Sequence, residues 1–207
     1  MARYTGPVCR LCRRYGDKLM LKGDKCVTKC TLDKRPQPPG APQTRRRKLS
    51  DRALQLREKQ KARYTYGVLE KQFVDYYKEA VRLPGVTGTN LVTLLELRLD
   101  NIVYKLGFAD SLKAARQLVR HGHIMLNGRK TDIPSARTKA GDVLGWMANS
   151  KKSEQYKFAK ENMSNKQAPV WLTVDAEQMT GRVMSAPAIA DTPSKFDPAV
   201  IVEYYSR

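Results

Sequence analysis

The residues with the clearest potential for chemistry are four cysteines near the start of the chain. The spacing C-x2-C-x13-C-x3-C separates Cys9, Cys12, Cys26 and Cys30. It is close to the spacing of paired knuckles that hold structural zinc, where four thiolates leave no open coordination position. Arginines and lysines beside the thiols would favour their ionised form. We therefore predict a structural metal site, with Zn²⁺ as the first choice.

Four thiols have uses other than zinc binding, and the sequence leaves these alternatives open. An iron–sulfur cluster also takes four thiolates, and spacing alone does not distinguish it from zinc. The cysteines would otherwise be two disulfides or free thiols. The first residues carry charge and no apolar segment, so we expect no secretory signal and a reducing compartment, where disulfides are rare.

The charge of the chain points to a polyanionic partner. It has 207 residues with 39 Lys and Arg against 20 Asp and Glu, a formal net charge of +19. Residues 1–50 hold 14 basic and 3 acidic side chains, and residues 101–150 hold 8 and 3. No run approaches the roughly 18 apolar residues of a membrane helix. Nucleic acid is therefore favoured over a membrane surface.

Two predicted helices present basic side chains at regular spacings. Arg52, Lys59 and Arg63 recur at i, i+7 and i+11 of the helix over 51–64, and a later helix carries a second set. Lys113, Arg116 and Arg120 recur at i, i+3 and i+7 of a predicted helix, within about 10 Å at 1.5 Å per residue. The complete set of candidate RNA-contacting residues is Arg3, Arg10, Arg13, Arg14, Arg45, Arg46, Arg47, Lys48, Arg52, Lys59, Arg63, Lys113, Arg116, Gln117, Arg120, His121, His123, Arg129 and Lys130.

The pattern of apolar residues, caps and turns predicts an α+β protein. Periodicity predicts helices over 51–64, 68–82, 89–107 and 111–122, another within 150–168, and a last one from Pro198. The pair Asn127-Gly128 predicts a β-hairpin over 124–134, with further strands at 143–144 and 171–174. No phosphate loop, dinucleotide-binding glycine pattern or nucleophile elbow is present, so no enzyme and no small-molecule substrate are indicated.

Several short motifs resemble one family. They are Arg98-Leu99-Asp100-Asn101, the run Ala115-Arg116-Gln117-Leu118-Val119-Arg120-His121-Gly122-His123-Ile124, Asn127-Gly128, Arg57-Glu58-Lys59-Gln60-Lys61, and the closing Ile201-Val202-Glu203-Tyr204-Tyr205-Ser206. Together they resemble the bacterial small-subunit ribosomal protein S-four family, which contains the RNA-binding module named after it.

The resemblance implies an architecture of four parts. A helical domain would contain an inserted helix–helix–hairpin RNA-binding module on a small antiparallel sheet, preceded by the N-terminal metal-bound segment. We expect the N-terminal segment with its Pro-rich connector at 1–44 and the first part of the helical domain at 45–88. The inserted module would span 89–177, and a C-terminal segment at 178–207 would return to the helical domain.

The resemblance also implies a function. The family binds the 5′ domain of 16S rRNA at a helix junction, nucleates assembly of the subunit body, and lies near the mRNA entry path beside neighbouring small-subunit proteins. Some members bind their own mRNA. We therefore expect a non-enzymatic rRNA-binding protein in the cytoplasmic ribosome. The alternatives are a zinc-containing nucleic-acid-binding regulator and, with less room in the chain for a catalytic domain, an RNA-modifying enzyme.

Overall fold

The protein consists of two compact units. The structure, a computed structural model, describes residues 3–41, 48–163, 167–188 and 195–206. Met1–Val92 and Ser194–Arg207 form the first unit, and Thr93–Pro193 form the second. The first unit is thus made from both ends of the chain, and the second unit is inserted between them in the sequence.

Helices dominate the first unit, and the second combines helices with one sheet. In chain order the helices are α1 (Cys9–Tyr15), α2 (Lys25–Thr28), α3 (Thr31–Lys34), α4 (Asp51–Thr65), α5 (Glu70–Arg82), α6 (Thr87–Glu96), α7 (Leu99–Lys105), α8 (Leu112–Arg120), a 3₁₀ helix (Ala148–Lys152), α9 (Glu154–Met163) and α10 (Pro198–Ser206). The strands are β1 (Ile124–Leu126), β2 (Arg129–Lys130), β3 (Val143–Trp146), β4 (Leu172–Asp175) and β5 (Thr180–Val183). The predicted α+β class is confirmed.

Helix α4 turns polar side chains towards the interior. It begins at Ser50, whose hydroxyl accepts a hydrogen bond of 3.3 Å from the backbone N–H of Ala53. Such a cap satisfies one of the N–H groups that a helix start leaves free. The buried residues of α4 are Gln55, Lys59 and Ala62, whereas its leucines are exposed. This is the reverse of the usual apolar stripe.

The helix predicted over residues 89–107 is interrupted at Arg98, and the prediction of one continuous helix is wrong. Arg98 has an extended backbone, with φ −70° and ψ 139°, and pairs with Arg137 as an isolated β-bridge. The backbone N–H of Leu99 donates to the Ala136 carbonyl at 2.9 Å, and that of Thr138 donates to the Leu97 carbonyl at 3.0 Å. These bonds from a distant segment replace the helical bonds lost at the break.

The sheet of the second unit has five strands in the order β2-β1-β3-β5-β4, and every neighbouring pair is antiparallel. The β1–β2 turn is formed by Asn127 at φ 51° and Gly128 at φ 77°, as the sequence predicts. Both residues adopt the left-handed conformation that a two-residue hairpin turn requires. Trp146, Trp171 and Phe108 are among the largest side chains of the core that this sheet forms with α7, α8 and α9.

The last part of the chain crosses from the sheet back to the helical unit. Strand β5 at 180–183 pairs with β3 and β4, so the boundary expected at residue 177 falls before the end of the sheet. The chain rejoins the first unit with α10, which packs along α4. In the described ranges, no helix has the length and apolar character needed to cross a membrane.

Candidate nucleic-acid interface

The face of α8 opposite the core carries a row of exposed polar and basic side chains. The helix begins at Ser111, whose hydroxyl accepts a 3.3 Å hydrogen bond from the Ala114 N–H. Its buried side includes Ala115, Leu118 and Val119. Lys113, Gln117 and Arg120 are exposed on its other side. At 1.5 Å per residue they span about 10 Å along the helix, a length that suits successive backbone phosphates.

Arg116 does not belong to this exposed row. Its side chain is 8% exposed and its Nη1 lies 3.9 Å from Oδ2 of Asp100. Asp100 is fully buried and accepts hydrogen bonds from Arg98 at 3.0 and 2.7 Å. Burial raises the pKa of Asp100, while the two arginines act in the opposite direction. Arg116 therefore helps to balance a carboxylate in the interior, and its predicted position on the phosphate-facing row is corrected.

Further exposed polar and basic side chains lie where α8 leads into the hairpin. His121, Arg129 and Lys130 are exposed. Gly122, at φ +73°, lies so close to Lys130 that a Cβ on the glycine would overlap the lysine Cε. The turn after α8 therefore brings the β2 lysine next to the end of the helix.

His123 lies beside these residues and is half-buried. Its ring centroid is 6.0 Å from that of His121, and its Nδ1 is joined to the Ser150 hydroxyl by a hydrogen bond of 2.9 Å. Burial lowers the pKa of His123, and the charges of His121 and Lys130 lower it further. His123 is therefore neutral at neutral pH and contributes hydrogen bonding rather than charge.

The first unit presents its own exposed cations. Arg3, Arg10, Arg14 and Lys48 are exposed. Arg13 is half-buried, and its Nε donates to the Gln37 carbonyl at 2.8 Å. The predicted contacts Arg45, Arg46 and Arg47 lie outside the described residues.

The predicted basic side of α4 is engaged by the C-terminal helix. The Arg52 guanidinium lies 4.2 Å from the ring centroid of Tyr204. The Lys59 side chain is 5% exposed, and its Nζ lies 2.6 Å from Oε1 of Glu70. Arg63 is half-buried, with its Nε 3.7 Å from Oε2 of Glu70. Lys59 is thus an interior ion-pair partner, and of these three cations only Arg52 remains exposed.

Glu70, at the start of α5, joins Lys59, Arg63 and Tyr205 in one group of contacts, here called the Glu70 cluster. The Tyr205 hydroxyl donates to Oε1 of Glu70 at 2.9 Å, and the Tyr205 ring stacks on Tyr77 at 4.7 Å. Burial raises the pKa of Glu70, but the hydrogen bonds from Lys59 and Tyr205 outweigh it and hold that pKa below its usual range. Periodicity within α4 gives no sign of these partners, because they come from other helices.

The four cysteines line one small cavity together with three lysines. The cavity measures about 20 Å³, and Lys22, Lys25 and Lys29 stand around it. Cys12 and Cys26 are buried, and Sγ of Cys26 accepts a 3.3 Å hydrogen bond from the Lys22 N–H. Over the described residues, no three His, Cys, Asp or Glu side chains form a ready-made metal cluster. Burial raises the pKa of the Cys12 thiol, and the neighbouring thiols add to the rise.

Comparison with known proteins covers the whole chain. Residues 3–96 match the Ribosomal protein S4/S9 N-terminal domain, and residues 97–144 match the S4 domain. Small ribosomal subunit protein uS4 of Dehalococcoides mccartyi is 51% identical over 207 residues, and that of Syntrophomonas wolfei is 51% identical over 209. The protein uS4A of Clostridium botulinum is 50% identical over 208. In each case all of both chains is covered.

The S4 domain match falls on the helices, hairpin and third strand that carry the exposed cations of the second unit. The protein therefore belongs to the class of ribosomal proteins that contain an S4 domain. The chain belongs to the uS4 family of small ribosomal subunit proteins.

Proposed function

We propose that the chain is a structural rRNA-binding component of the small ribosomal subunit, and not an enzyme. The observation that carries this proposal is the end-to-end identity of about one residue in two with proteins named uS4, combined with the exposed basic row of α8. The 5′ domain of 16S rRNA is the proposed site, at a junction where several helices meet. Binding there would hold the junction folded while the body of the subunit assembles.

The exposed cations are suited to recognising the shape of an RNA backbone rather than its base sequence. An RNA duplex offers phosphates and 2′-hydroxyls at its surface, while its deep, narrow major groove hides the base edges from side chains. A row such as Lys113, Gln117 and Arg120 would follow one stretch of backbone. Each unit has such cations of its own, so each would neutralise phosphates of a separate part of the RNA.

The proposed contact set is narrower than the candidate set. It keeps the exposed residues and omits Arg116 and Lys59, whose charges are used inside the protein. It also omits the half-buried Arg13 and Arg63, which contact Gln37 and Glu70. The described members are Arg3, Arg10, Arg14, Lys48, Arg52, Lys113, Gln117, Arg120, His121, Arg129 and Lys130, with His123 as a neutral partner. We also propose contacts with neighbouring small-subunit proteins, a position near the mRNA entry path, and binding to the protein's own mRNA.

We propose in addition that Cys9, Cys12, Cys26 and Cys30 bind one zinc ion. Four thiol donors around one cavity of about 20 Å³ suit a single ion, since that volume holds little more than one water-sized sphere. An iron–sulfur cluster uses the same four thiolates and is the alternative, which elemental analysis of the purified protein distinguishes from zinc. Bound zinc would supply a structural cross-link, drawing the four thiolates together and displacing their protons. The three surrounding lysines would offset the negative charge of the loaded site.

An RNA-binding assay with matched variants tests the main proposal. The full chain is titrated with a 16S 5′-domain transcript, with an unrelated RNA and with duplex DNA, from low to high salt. With about ten phosphates contacted, log affinity should fall with log salt at a slope of roughly −7 to −9. A preference for duplex DNA would support the rival reading, a zinc-containing nucleic-acid-binding regulator.

The variant pair isolates the row on α8. The double variant K113A/R120A should weaken binding to the transcript and reduce the salt slope by roughly 1.4 to 1.8. The control K157A/K160A removes two exposed lysines of α9 in the same unit and should leave binding near wild type. Equal losses in both double variants would mean that total charge, not the α8 row, governs binding.

A further inference from the structure

A short 3₁₀ helix in the second unit is joined by hydrogen bonds to His123, just after the end of α8. Ser150, within the segment Ala148–Lys152, is 9% exposed, and its hydroxyl is hydrogen-bonded to His123 Nδ1 at 2.9 Å. The Met147 N–H donates to the His123 carbonyl at 2.9 Å. The position of this segment is therefore set by His123, 27 residues earlier in the chain.

Two exposed lysines follow Ser150 directly. Lys151 and Lys152 lie at the end of the 3₁₀ helix, and neither forms an ion pair in the described part of the chain. Glu154, the next acidic residue, is exposed in the first turn of α9 and pairs with neither of them. Their charge is thus available to an external anion.

The segment after the lysines is also held in place. The Ser153 hydroxyl donates to the Ser150 carbonyl at 2.7 Å, and the Tyr156 ring packs edge-on against Trp146 with centroids 5.3 Å apart. Trp146 belongs to β3 and is 2% exposed. The two lysines are therefore presented from a braced turn, which lowers the conformational entropy lost when a ligand fixes them.

From this arrangement we propose that Lys151 and Lys152 form a second phosphate-binding element of the second unit, and that Ser150 is the positioning residue that fixes their segment to His123. The ligand is the RNA backbone. The inference rests on the proposed rRNA-binding function and extends its contact surface beyond the helix and hairpin to the segment that follows β3.

The test compares three variants of the full chain in the transcript titration. K151A/K152A should weaken binding about three- to tenfold and reduce the salt slope by roughly 1.4 to 1.8, the effect of two phosphate contacts. K157A/K160A removes the same charge from the neighbouring helix α9 and should bind as wild type. The inference is overturned if K151A/K152A binds as wild type, or if the two pairs lose the same amount.

The positioning role of Ser150 is tested separately, by the transcript binding of Ser150 variants. S150A should weaken binding, whereas S150T, which keeps the hydroxyl, should restore most of it. Adding S150A to K151A/K152A should cause little further loss, because a positioning residue has nothing left to position. Full additivity would show that Ser150 does not act through the two lysines, and would overturn its role in positioning them. K151A/K152A changes exposed side chains alone and keeps the inference testable if S150A fails to fold.

The outcomes separate this inference from the function on which it rests. If wild type binds the transcript no better than the unrelated RNA, the proposed function fails. If wild type discriminates and K151A/K152A matches it, the function stands and the second phosphate-binding element is rejected.

Discussion

Arg98 and Asp100 form a two-bond ion pair with both side chains fully buried. Nε of Arg98 donates to Oδ1 of Asp100 at 3.0 Å, and Nη2 donates to Oδ2 at 2.7 Å. The ion pair lies at the break between α6 and α7, where the backbone of Arg98 forms an isolated β-bridge with Arg137. Nη1 of Arg116 lies 3.9 Å from Oδ2 of the same carboxylate, so Asp100 interacts with two interior arginines.

Removing that charge should destabilise the second unit strongly. Asp100→Asn removes the carboxylate charge that the buried Arg98 guanidinium pairs with and that Arg116 approaches. We expect a loss of about 3–5 kcal/mol in the free energy of unfolding, because one partner of a buried ion pair is removed. Trp146 and Trp171 both lie in this unit and are almost fully buried, so urea unfolding followed by tryptophan fluorescence measures it directly.

The matched control is Asp132→Asn, which removes an exposed carboxylate in the same unit. It should change stability by less than about 0.5 kcal/mol. A similar small effect in Asp100→Asn would contradict the interior role assigned to the pair.

The Glu70 cluster should make the first unit sensitive to acid. Because the pKa of Glu70 is held below its usual range in the folded protein, its stabilising contribution is complete above its ordinary pKa, about 4.5, and is lost as the pH falls through its folded value. Glu70→Gln should reduce stability at pH 7 by about 1–2 kcal/mol. Unfolding followed by circular dichroism should show that this difference shrinks below pH 4. A difference independent of pH would argue against the cluster.

Metal removal should affect the cysteine segment alone. Protein purified without chelator should contain about one zinc per chain, measured by elemental analysis, and C9S/C12S should contain none. After chelation, hydrogen exchange should accelerate across α1 to α3, while tryptophan fluorescence from the second unit stays unchanged. A preparation free of zinc, or a global loss of helicity after chelation, would contradict the proposed site.

Two glycines with the same backbone conformation give a direct comparison. Gly122 has φ +73° and Gly128 has φ +77°, both in the left-handed region. Replacing either glycine with alanine should lower the free energy of unfolding by about 1 kcal/mol, because a Cβ is strained in that backbone conformation. Only Gly122→Ala introduces a Cβ that displaces Lys130, whereas the space around Gly128 is open. Gly122→Ala alone should therefore weaken binding to the 16S transcript. If both variants bind equally well, Lys130 is not a contact.

Local signals in the sequence predict much of this fold. The Asn127-Gly128 turn, the Ser111 start of α8 and the helix from Pro198 all occur where caps and turn chemistry place them. Each depends on neighbours within a few residues, and such short-range preferences are legible in one sequence.

Long-range contacts account for what the sequence does not predict. The break at Arg98 depends on bonds to residues 136–138, and the burial of Lys59 depends on Glu70 and Tyr205. Lys59 and Arg116 are basic residues at helical spacing, and for both the tertiary structure alone distinguishes an interior ion pair from an exposed phosphate contact. The link between Ser150 and His123 likewise joins residues with no shared periodicity.

Sedimentation of cell lysate on a sucrose gradient shows whether the protein is an integral part of the small ribosomal subunit. The protein is followed by antibody across fractions prepared at moderate and then at high salt. We expect it to sediment with the small ribosomal subunit under both conditions, because many phosphate contacts and a folded RNA site hold it there. Recovery only in the free fraction, or with chromosomal DNA, would contradict its assignment as a structural component of the subunit.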